Sequence, residues 1–334
     1  MVPAIAVADA LRAEGAEVSF VGGERAEAEL VPAAGYELDP IRVEGISRSN
    51  PLKAARAVLR AGAALGAARA ILRRREADVV LGGGGYVAGP VGLAAVARRT
   101  PLVLTEADSH MGLTNRLLAG RARRVCLAFP LPGREGPRYL LTGRPVPPRT
   151  TTREEARAAL GLGEEDRCVL VFGGSLGARS INEAAVAAFA DARYRVLHVA
   201  GRRDHPDLRA PGPHYDLRDY ISPFGLALAA ADLAVARAGG SIFELAQYGL
   251  PAVLIPYPHA SADHQTANAR WMERGGAAVV LADADLEPST LRGAVDAILL
   301  DPERLQRMAA ASLALARPAA AAAVAGEVLA AAGR

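Results

Sequence analysis

The chain has 334 residues, of which 51% are hydrophobic, so it can fill the cores of about two domains of roughly 100 to 200 residues each. Charged residues make up 22%, and no stretch reaches about 18 uninterrupted apolar residues, which argues against disorder and against a membrane-spanning helix. Aromatic residues are only 4%, so stacking platforms are few and no nucleic-acid partner is expected.

Charge is distributed unevenly along the chain. Residues 1–150 contain 21 Lys and Arg against 14 Asp and Glu, whereas residues 151–334 contain 18 against 22. The basic first half is therefore expected to face something anionic, such as phospholipid head groups or a phosphorylated substrate. Chance use of arginine in an Ala- and Arg-rich chain is the alternative.

Apolar runs alternate with helical patterns throughout. A helix is predicted over residues 1–14, and the runs that follow predict parallel strands with helices between them. The predicted strands are residues 17–21, 78–81, 101–105, 123–128 and 138–142, followed by 168–172, 195–200, 232–236, 252–256 and 277–281. This alternation predicts an α/β fold of two Rossmann-like, doubly wound parallel-sheet domains.

Proline marks the boundary between the domains. Residues 145–153 include three prolines, which cannot continue a helix or a central strand, and the segment is followed by Glu154 and Glu155 behind a threonine cap. The domains are therefore expected at residues 1–148 and 149–334. The Ala-rich tail over residues 318–334 is predicted as a helix, with packing back onto the first domain left open.

Two glycine-rich turns in the second half each follow a predicted strand and open a helix. Residues 173–178 (Gly-Gly-Ser-Leu-Gly-Ala) form the first, and residues 237–244 form the second. Glycines there let backbone N–H groups approach a phosphate, and Glu244, one turn into the helix, can accept both hydroxyls of a ribose. The alternatives are a tight connection for the glycines and a helix-dipole partner for Glu244.

A polar loop follows the next strand, over residues 256–269. Gln265 and Asn268 are three residues apart, so they share a helix face and are candidates to hold sugar hydroxyls. A helix cap at Asp263 with surface amides is the alternative.

The first half has its own candidate site. Residues 82–85 are consecutive glycines, which predict close approach of a ligand or of another chain. Glu106, Asp108 and His110 follow the neighbouring strand and are expected at the same edge of the sheet. Each is a candidate general base, and helix capping is the alternative for Asp108.

The predicted helix over residues 52–75 is strongly basic and contains no acidic residue. Its cations are Lys53, Arg56, Arg60, Arg69, Arg73, Arg74 and Arg75. The helix either docks on anionic lipid or is an ordinary amphipathic helix of the first domain.

No metal site is predicted. Cys126 and Cys168 lie far apart without ligand spacing, which favours buried strand residues in a reducing cytoplasm. The Asp283-Ala284-Asp285 segment looks like a metal-binding motif, but it precedes a helix beginning near Pro288, so capping is the preferred interpretation.

Together these segments resemble the MurG family, the peptidoglycan glycosyltransferases that transfer N-acetylglucosamine (GlcNAc) from UDP-GlcNAc onto lipid I. The matching segments are residues 2–8, 84–90, 112–115, 173–175 and 263–269. Several matches in order are more specific than any single glycine turn. The resemblance implies the GT-B fold, two Rossmann-like domains with a cleft between them.

The resemblance also implies residue roles. At the UDP phosphates it implies Ser175 with Gly174 and Gly177, and then Gly240, Ser241 and Ile242. It implies Ile221 at the uracil, Glu244 at the ribose, and Gln265 with Asn268 at the GlcNAc. The family has a donor-contacting arginine where this chain has Pro147, and Arg144 or Arg149 is expected to replace it. The acceptor-binding set in the membrane-facing first domain is Gly83, Gly84, Gly85 and Tyr86.

Departures from the family pattern concern the base and the beginning of the chain. The family has a strand and a Gly-Gly-Thr-Gly-Gly-His loop ahead of the segment matched by residues 1–8. With that loop histidine missing, Asp108, Glu106 or His110 is the expected base. The expected explanation for the missing strand and loop is a start codon placed too far downstream.

The expected activity is an inverting transfer, without a metal or another cofactor, of GlcNAc to the C4 hydroxyl of the muramyl residue in undecaprenyl-diphospho-MurNAc-pentapeptide. This reaction converts lipid I to lipid II in peptidoglycan synthesis. The expected location is peripheral, at the anionic cytoplasmic face of the cell membrane. Two alternatives stay open: another lipid acceptor, such as a diacylglycerol, and a pseudoenzyme that binds a UDP-sugar without transferring it.

Overall fold

A computed structural model describes residues 1–24, 26–43, 51–174 and 177–333. The chain divides into two compact units. Unit 1 comprises Met1–Pro147 and Arg317–Arg334, and unit 2 comprises Pro148–Ala316. The division thus falls in the proline-rich segment, and the last helix belongs to the unit that contains the beginning of the chain.

Within its described residues, unit 1 contains parallel strands in two sheets with helices between them. Its elements up to the division are α1 (Val2–Ala13), β1 (Ser19–Gly22), α2 (Ala26–Ala33), β2 (Glu37–Pro40), α3 (Pro51–Arg74), β3 (Val80–Gly82), α4 (Gly85–Arg98), β4 (Leu102–Glu106), α5 (Leu113–Leu118), β5 (Arg124–Leu127) and β6 (Tyr139–Leu141). One sheet pairs β1 with β2, and the other has the order β3-β4-β5-β6. Every pairing is parallel.

Unit 2 contains one six-stranded parallel sheet, in the order β12-β11-β10-β7-β8-β9. Its elements are α6 (Arg153–Ala159), β7 (Cys168–Phe172), α7 (Arg179–Ala188), β8 (Arg195–Val199), β9 (Tyr215–Arg218), α8 (Gly225–Ala230), β10 (Leu233–Ala236), α9 (Ile242–Tyr248), β11 (Ala252–Leu254), α10 (His264–Arg274), β12 (Ala278–Val280), α11 (Pro288–Leu299) and α12 (Pro302–Ala314); the last helix, α13 (Ala320–Ala332), completes unit 1. This is the doubly wound order, and it reverses between β7 and β10.

Apolar burial explains both cores. Every residue of β7 is buried, as expected for a central parallel strand that is covered on both faces. In unit 1, Val7 of α1 packs in one cluster with Val324 and Val328 of α13 and with Val103 of β4. An ion pair of Arg124 with Glu327, 2.8 Å between Nε and Oε2, adds to the attachment of α13.

The predicted strands are confirmed, and two strands were not predicted. These two are β2, which contains Asp39 and Pro40, and β9, in which Asp216 and Arg218 alternate with apolar residues. Strand β9 is an edge of its sheet, and β2 pairs only with β1 within the described residues. Charge and proline are typical of edge strands because such residues discourage further pairing. In β2 and β9 they interrupt the apolar pattern from which strands are predicted.

Helix signals are also confirmed. Thr152 begins α6 with a capping box, in which its Oγ1 accepts from the N–H of Glu155 at 3.2 Å and its own N–H donates to Glu155 Oε2 at 2.9 Å. Across the described ranges, no helix combines the length and apolar character needed to cross a bilayer.

Candidate functional site

Two glycine-rich turns of unit 2 lie at the carboxyl edge of its sheet. The first turn follows β7 and the second follows β10, and the last residues of these strands, Phe172 and Ala236, are paired. Ligands of doubly wound sheets bind outside the carboxyl ends of the strands, where the strand order reverses. Because β7 and β10 flank the reversal, both turns lie at the place where such a sheet binds a nucleotide.

The three glycines of the first turn are needed for different reasons. A Cβ at Gly173 would lie 2.3 Å from the Cβ of Ala178, and one at Gly177 would lie 2.1 Å from the carbonyl oxygen of Ala200. Gly174 has φ +98°, and no described heavy atom lies within 4 Å of its Cβ position. Packing therefore requires Gly173 and Gly177, whereas only Gly174 leaves open space for a ligand. Ser175 lies outside the described residues.

The second turn presents backbone donors. The N–H groups of Gly240 and Ser241 have no backbone acceptor within the described residues, whereas the N–H of Ile242 bonds to the carbonyl oxygen of Gly239 at 3.3 Å. The side chain of Ile242 is buried in the core and its N–H is already engaged, so a contact of Ile242 with the phosphates stays a prediction. Glu244 is half-buried in the first turn of α9.

Two side chains of α10 hold the backbone around the second turn. Asn268 is buried, and its Nδ2 donates to the carbonyl oxygen of Ala238 at 3.0 Å. Gln265 Oε1 accepts from the N–H of Tyr257 at 3.0 Å. Asn268 therefore braces the turn, and its Oδ1 is buried without a hydrogen-bond partner among the described residues. The contact of both amides with GlcNAc stays a prediction.

Two further residues predicted at the donor lie away from the turns in sequence and topology. Ile221 follows the edge strand β9, and its side chain is buried. Arg144 belongs to unit 1, where its Nη1 lies 3.4 Å from the carbonyl oxygen of Ala107. Their roles at the uracil and the phosphates stay predictions.

A buried polar network lies behind the first turn and was not indicated by any motif. His198 Nδ1 lies 2.7 Å from the hydroxyl of Tyr215, and its Nε2 lies 3.0 Å from Asn182 Oδ1. Asn182 Nδ2 donates to the carbonyl oxygen of Ala200 and to Asp204 Oδ2. Burial lowers the pKa of His198 to about 3, so the imidazole is neutral and bridges the two side chains. The network fixes the carbonyl against which the last glycine of the first turn packs.

The capping interpretation of Asp283 is wrong. Glu287 is the N-cap of α11, whereas Asp283 Oδ1 accepts hydrogen bonds from Ser180 and from Arg237. Arg237 is the first residue of the second glycine turn, so Asp283 is close to that turn in space although distant in sequence. The described residues include no group of three His, Cys, Asp or Glu side chains arranged to hold a metal ion.

In unit 1, the glycine run and the segment after β4 come together at one sheet edge. Gly84 and Gly85 have φ +78° and +77°, a left-handed conformation that favours glycine. A Cβ at Gly84 would lie 3.7 Å from Asn115 Nδ2, and Thr114 Oγ1 donates to the carbonyl oxygen of Gly85 at 3.0 Å. Gly83 and Gly85 are exposed, and Tyr86 is largely exposed. The loop therefore offers an accessible backbone surface beside the candidate bases.

The candidate bases differ in their surroundings. Glu106 is buried, and its carboxylate accepts from the N–H groups of Asp108 and Gly112 and from Asn115 Nδ2. The carboxylate of Asp108 is half-exposed and has no hydrogen bond or ion pair with any described side chain or backbone group. His110 is half-buried. The Glu106 carboxylate is therefore engaged by three donors, whereas that of Asp108 is not engaged by any described group, and the identity of the base stays a prediction.

The basic face of α3 is partly engaged within unit 1. Arg74 Nη2 lies 2.6 Å from Asp39 Oδ1, Arg75 Nε lies 2.8 Å from Asp39 Oδ2, and Arg75 also pairs with Glu37. Hydrogen bonding to Arg75 lowers the pKa of Asp39. Arg69 and Arg73 are exposed, and the side chains of Lys53, Arg56 and Arg60 lie outside the described residues. Two of the predicted lipid-binding cations thus hold α3 to β2.

The two cysteines are buried strand residues, as predicted. Desolvation raises the pKa of the Cys126 and Cys168 thiols to about 12, so both are held as thiols.

The glycosyltransferase family 28 N-terminal domain matches residues 1–127, and the family 28 C-terminal domain matches residues 168–324. The chain belongs to glycosyltransferase family 28. Similar family members named UDP-N-acetylglucosamine–N-acetylmuramyl-(pentapeptide) pyrophosphoryl-undecaprenol N-acetylglucosamine transferase include the following two. That of Moorella thermoacetica is 41% identical over 95% of this chain and 91% of its own length. That of Rubrobacter xylanophilus is 40% identical over 97% of this chain and 98% of its own.

Solved structures show the same fold. Acinetobacter baumannii MurG superposes with a TM-score of 0.78 at 28% identity, covering 98% of this chain and 95% of that one. The Streptomyces nogalater glycosyltransferase SnogD superposes with a TM-score of 0.67 at 22% identity, covering 97% and 95%. The resemblance to the MurG family is confirmed, and this family 28 protein has the GT-B fold of two parallel-sheet α/β domains.

Proposed function

We propose that the protein transfers GlcNAc from UDP-GlcNAc to the C4 hydroxyl of the muramyl residue of undecaprenyl-diphospho-MurNAc-pentapeptide, with inversion at the anomeric carbon. The names of the Moorella thermoacetica and Rubrobacter xylanophilus relatives support the substrate pair. The observation that carries the proposal is the position of both glycine turns beside the strand reversal of unit 2, because a nucleotide diphosphate binds there in doubly wound sheets.

On the donor side, the diphosphate is assigned to the N–H groups of Gly240 and Ser241 and to the open face of Gly174. Backbone N–H groups that are already oriented stabilise the charge that develops on departing UDP without further reorganisation. Asn268 supports this orientation by holding the carbonyl of Ala238. The carboxylate of Glu244 is assigned to the ribose hydroxyls.

On the acceptor side, the muramyl residue is assigned to the glycine loop of unit 1, and Asp108 is the proposed base. As the C4 oxygen attacks the anomeric carbon, the carboxylate of Asp108 takes the hydroxyl proton. The bond between the anomeric carbon and the UDP oxygen breaks, and its electron pair leaves on the β-phosphate. Glu106 is less accessible to the acceptor hydroxyl because it is buried and its carboxylate already accepts three hydrogen bonds.

An acceptor comparison tests the proposed reaction. The purified full chain is incubated with UDP-GlcNAc and either a lipid I analogue or diacylglycerol, and the products are identified by mass spectrometry. We expect one GlcNAc to be added to the lipid I analogue for each UDP released. Transfer only to diacylglycerol, or UDP-GlcNAc binding with no transfer to either lipid, would contradict the proposal and support one of its alternatives.

We also propose that α4 and α5 place unit 1 on an anionic membrane surface. Large apolar side chains on these helices are exposed: Tyr86 by 73%, Leu93 by 52%, Leu113 by 61% and Leu117 by 67%. The helices pack closely, since a Cβ on Gly92 would lie 2.4 Å from Leu118 Cδ1. The four exposed side chains therefore belong to adjoining elements.

The charge of these helices fits the same partner. Neither α4 nor α5 contains an acidic residue, and Arg98 and Arg116 are exposed. Apolar side chains flanked by arginines suit the interface of a bilayer with anionic head groups. This surface supports a peripheral location at the cytoplasmic face of the cell membrane, next to a lipid-linked acceptor.

A further inference from the structure

Arg237 contacts the segments that follow three other strands of unit 2. Its Nη1 donates to the carbonyl oxygens of Ile255 and Pro256, each at 3.2 Å, directly after β11. The same guanidinium pairs with Asp283 after β12, and its Nη2 donates to Ser180 Oγ at 2.8 Å in the first turn of α7, after β7. Since Arg237 itself follows β10, one side chain joins the ends of four consecutive strands, β12, β11, β10 and β7.

The three side chains form a closed ring. Ser180 Oγ accepts from Arg237 and donates to Asp283 Oδ1 at 2.9 Å, and Asp283 completes the ring through its ion pair with Arg237. The side chains of Arg237 and Asp283 are only 12% and 22% exposed. A charge that is left unpaired there is poorly solvated, so the ring depends on both partners. The planar guanidinium reaches several acceptors at once, which a lysine ammonium at the same position cannot do.

The ring is adjacent to both glycine turns. Ser180 lies three residues after Gly177, and Arg237 lies three residues before Gly240. The ring therefore links the segment that follows the first turn to the first residue of the second turn. Its remaining contacts, at Ile255 and Pro256, steady the start of the loop that leads to Gln265.

We propose that Arg237, Ser180 and Asp283 are positioning residues that fix the spacing of the two glycine turns for the donor diphosphate; this inference rests on the proposed function. The ring acts through the backbone of the turns. Donor binding depends on N–H groups fixed in advance, and a misplacement of about 1 Å can cost about 100-fold in rate. Loss of the ring should therefore impair use of the donor and leave use of the acceptor unchanged.

Variants of Asp283 and Ser180 test this proposal in the full chain. Asp283→Asn keeps a side-chain oxygen but removes the charge that pairs with Arg237. We expect about a tenfold increase in the Kd for UDP and in the KM for UDP-GlcNAc, and an unchanged KM for the lipid I analogue. Ser180→Ala should weaken UDP binding by about threefold, and Ser180→Thr, which keeps a hydroxyl, should bind UDP like the parent. Asp285→Asn, in the same segment but exposed, is the matched control and should behave like the parent.

The outcomes separate this inference from the function on which it rests. If the parent binds UDP and Asp283→Asn and Ser180→Ala bind it within twofold of the parent, the ring is only structural and the inference is wrong. An equal rise in the KM values for donor and acceptor would also contradict it. A parent that does not bind UDP would contradict the proposed function and, with it, the inference.

Discussion

Asn115 Nδ2 lies 2.9 Å from Glu106 Oε2, and both side chains are buried. The N–H of Gly112 donates to the same oxygen at 2.9 Å, and the N–H of Asp108 donates to Oε1 at 3.3 Å. The segment after β4 is therefore wrapped around the carboxylate of Glu106, which accepts hydrogen bonds from it. The consequence is that Asp108 is held at the surface of this loop with its carboxylate uncommitted.

Substitutions of Asp108 and Glu106 are expected to affect different properties, the rate of transfer and the stability of the fold. Asp108→Asn should lower kcat by about 10²- to 10⁴-fold, because it removes the proposed proton acceptor, with UDP affinity and melting temperature unchanged. Glu106→Gln should cost about 1–3 kcal/mol of stability, since one of its oxygens becomes an amide donor facing other donors. Steady-state kinetics and urea unfolding of both variants measure the contrast. A normal kcat in Asp108→Asn would rule it out as the base.

Gly174 and Gly177 should respond differently to alanine. At Gly177 the new Cβ would meet the carbonyl oxygen of Ala200 at 2.1 Å, so Gly177→Ala should lower the melting temperature strongly. Gly174→Ala meets only the conformational cost of φ +98°, about 1–2 kcal/mol, and its Cβ would enter the open space assigned to the diphosphate. We expect Gly174→Ala to lose UDP affinity with the smaller change in melting temperature. Equal UDP affinity in Gly174→Ala and the parent would remove this glycine from the donor site.

The ribose assignment depends on Glu244. Glu244→Ala should weaken UDP binding by about tenfold in calorimetry, since a carboxylate that accepts both ribose hydroxyls contributes more than a neutral partner. Glu303→Ala, an exposed carboxylate on α12, is the control and should leave UDP affinity unchanged. A lowered melting temperature with unchanged UDP affinity would instead make Glu244 only a partner of the helix dipole.

Vesicle binding should depend on α5 more than on the end of α3. The double variant Leu113→Gln and Leu117→Gln should lower co-sedimentation with anionic vesicles by at least about tenfold, because each leucine contributes about 1.5–3 kcal/mol when buried in lipid. Leu300→Gln, equally exposed but in unit 2, is the matched control. Arg75→Gln should lower the melting temperature, because Asp39 loses a partner, with little change in vesicle binding. If the leucine variant binds vesicles as well as the parent does, α5 does not contact the membrane.

The buried imidazole of His198 should make stability depend on pH. Burial lowers its pKa to about 3, with a smaller effect of the charge on His205, whereas the unfolded chain protonates near pH 6.5. The unfolded state therefore binds the proton first, so this contribution is fully present above about pH 6.5 and decreases as the pH falls toward 3.

Urea unfolding measures this dependence. The free energy of unfolding should fall by roughly 2 kcal/mol between about pH 6.5 and 5, above the range in which the carboxylates with lowered pKa, Asp39 and Asp204, are protonated. His198→Gln, which stays neutral, should show a flatter dependence over this interval. The same slope in parent and variant would mean that other groups cause it.

The strands show how far local sequence determines this fold. Central strands such as β7 carry uninterrupted apolar residues because both of their faces are covered, and those runs were recognisable. The edge strands β2 and β9 lack that constraint, and their charges concealed them. Similarly, the capping box of Thr152 is contained within four residues, and the sequence was sufficient to predict it.

The amino-acid sequence by itself determined the α/β class, the order of the elements, the two glycine turns of unit 2 and the resemblance to the MurG family, because each of these rests on patterns of neighbouring residues taken in order along the chain. Only the tertiary structure decided which residues of these segments contact other parts of the chain. It placed β10 next to β7, separated Gly174 from the packed Gly177, and gave Asp283 to Arg237 rather than to a helix cap. These outcomes depend on contacts between residues far apart in sequence, which no local pattern records.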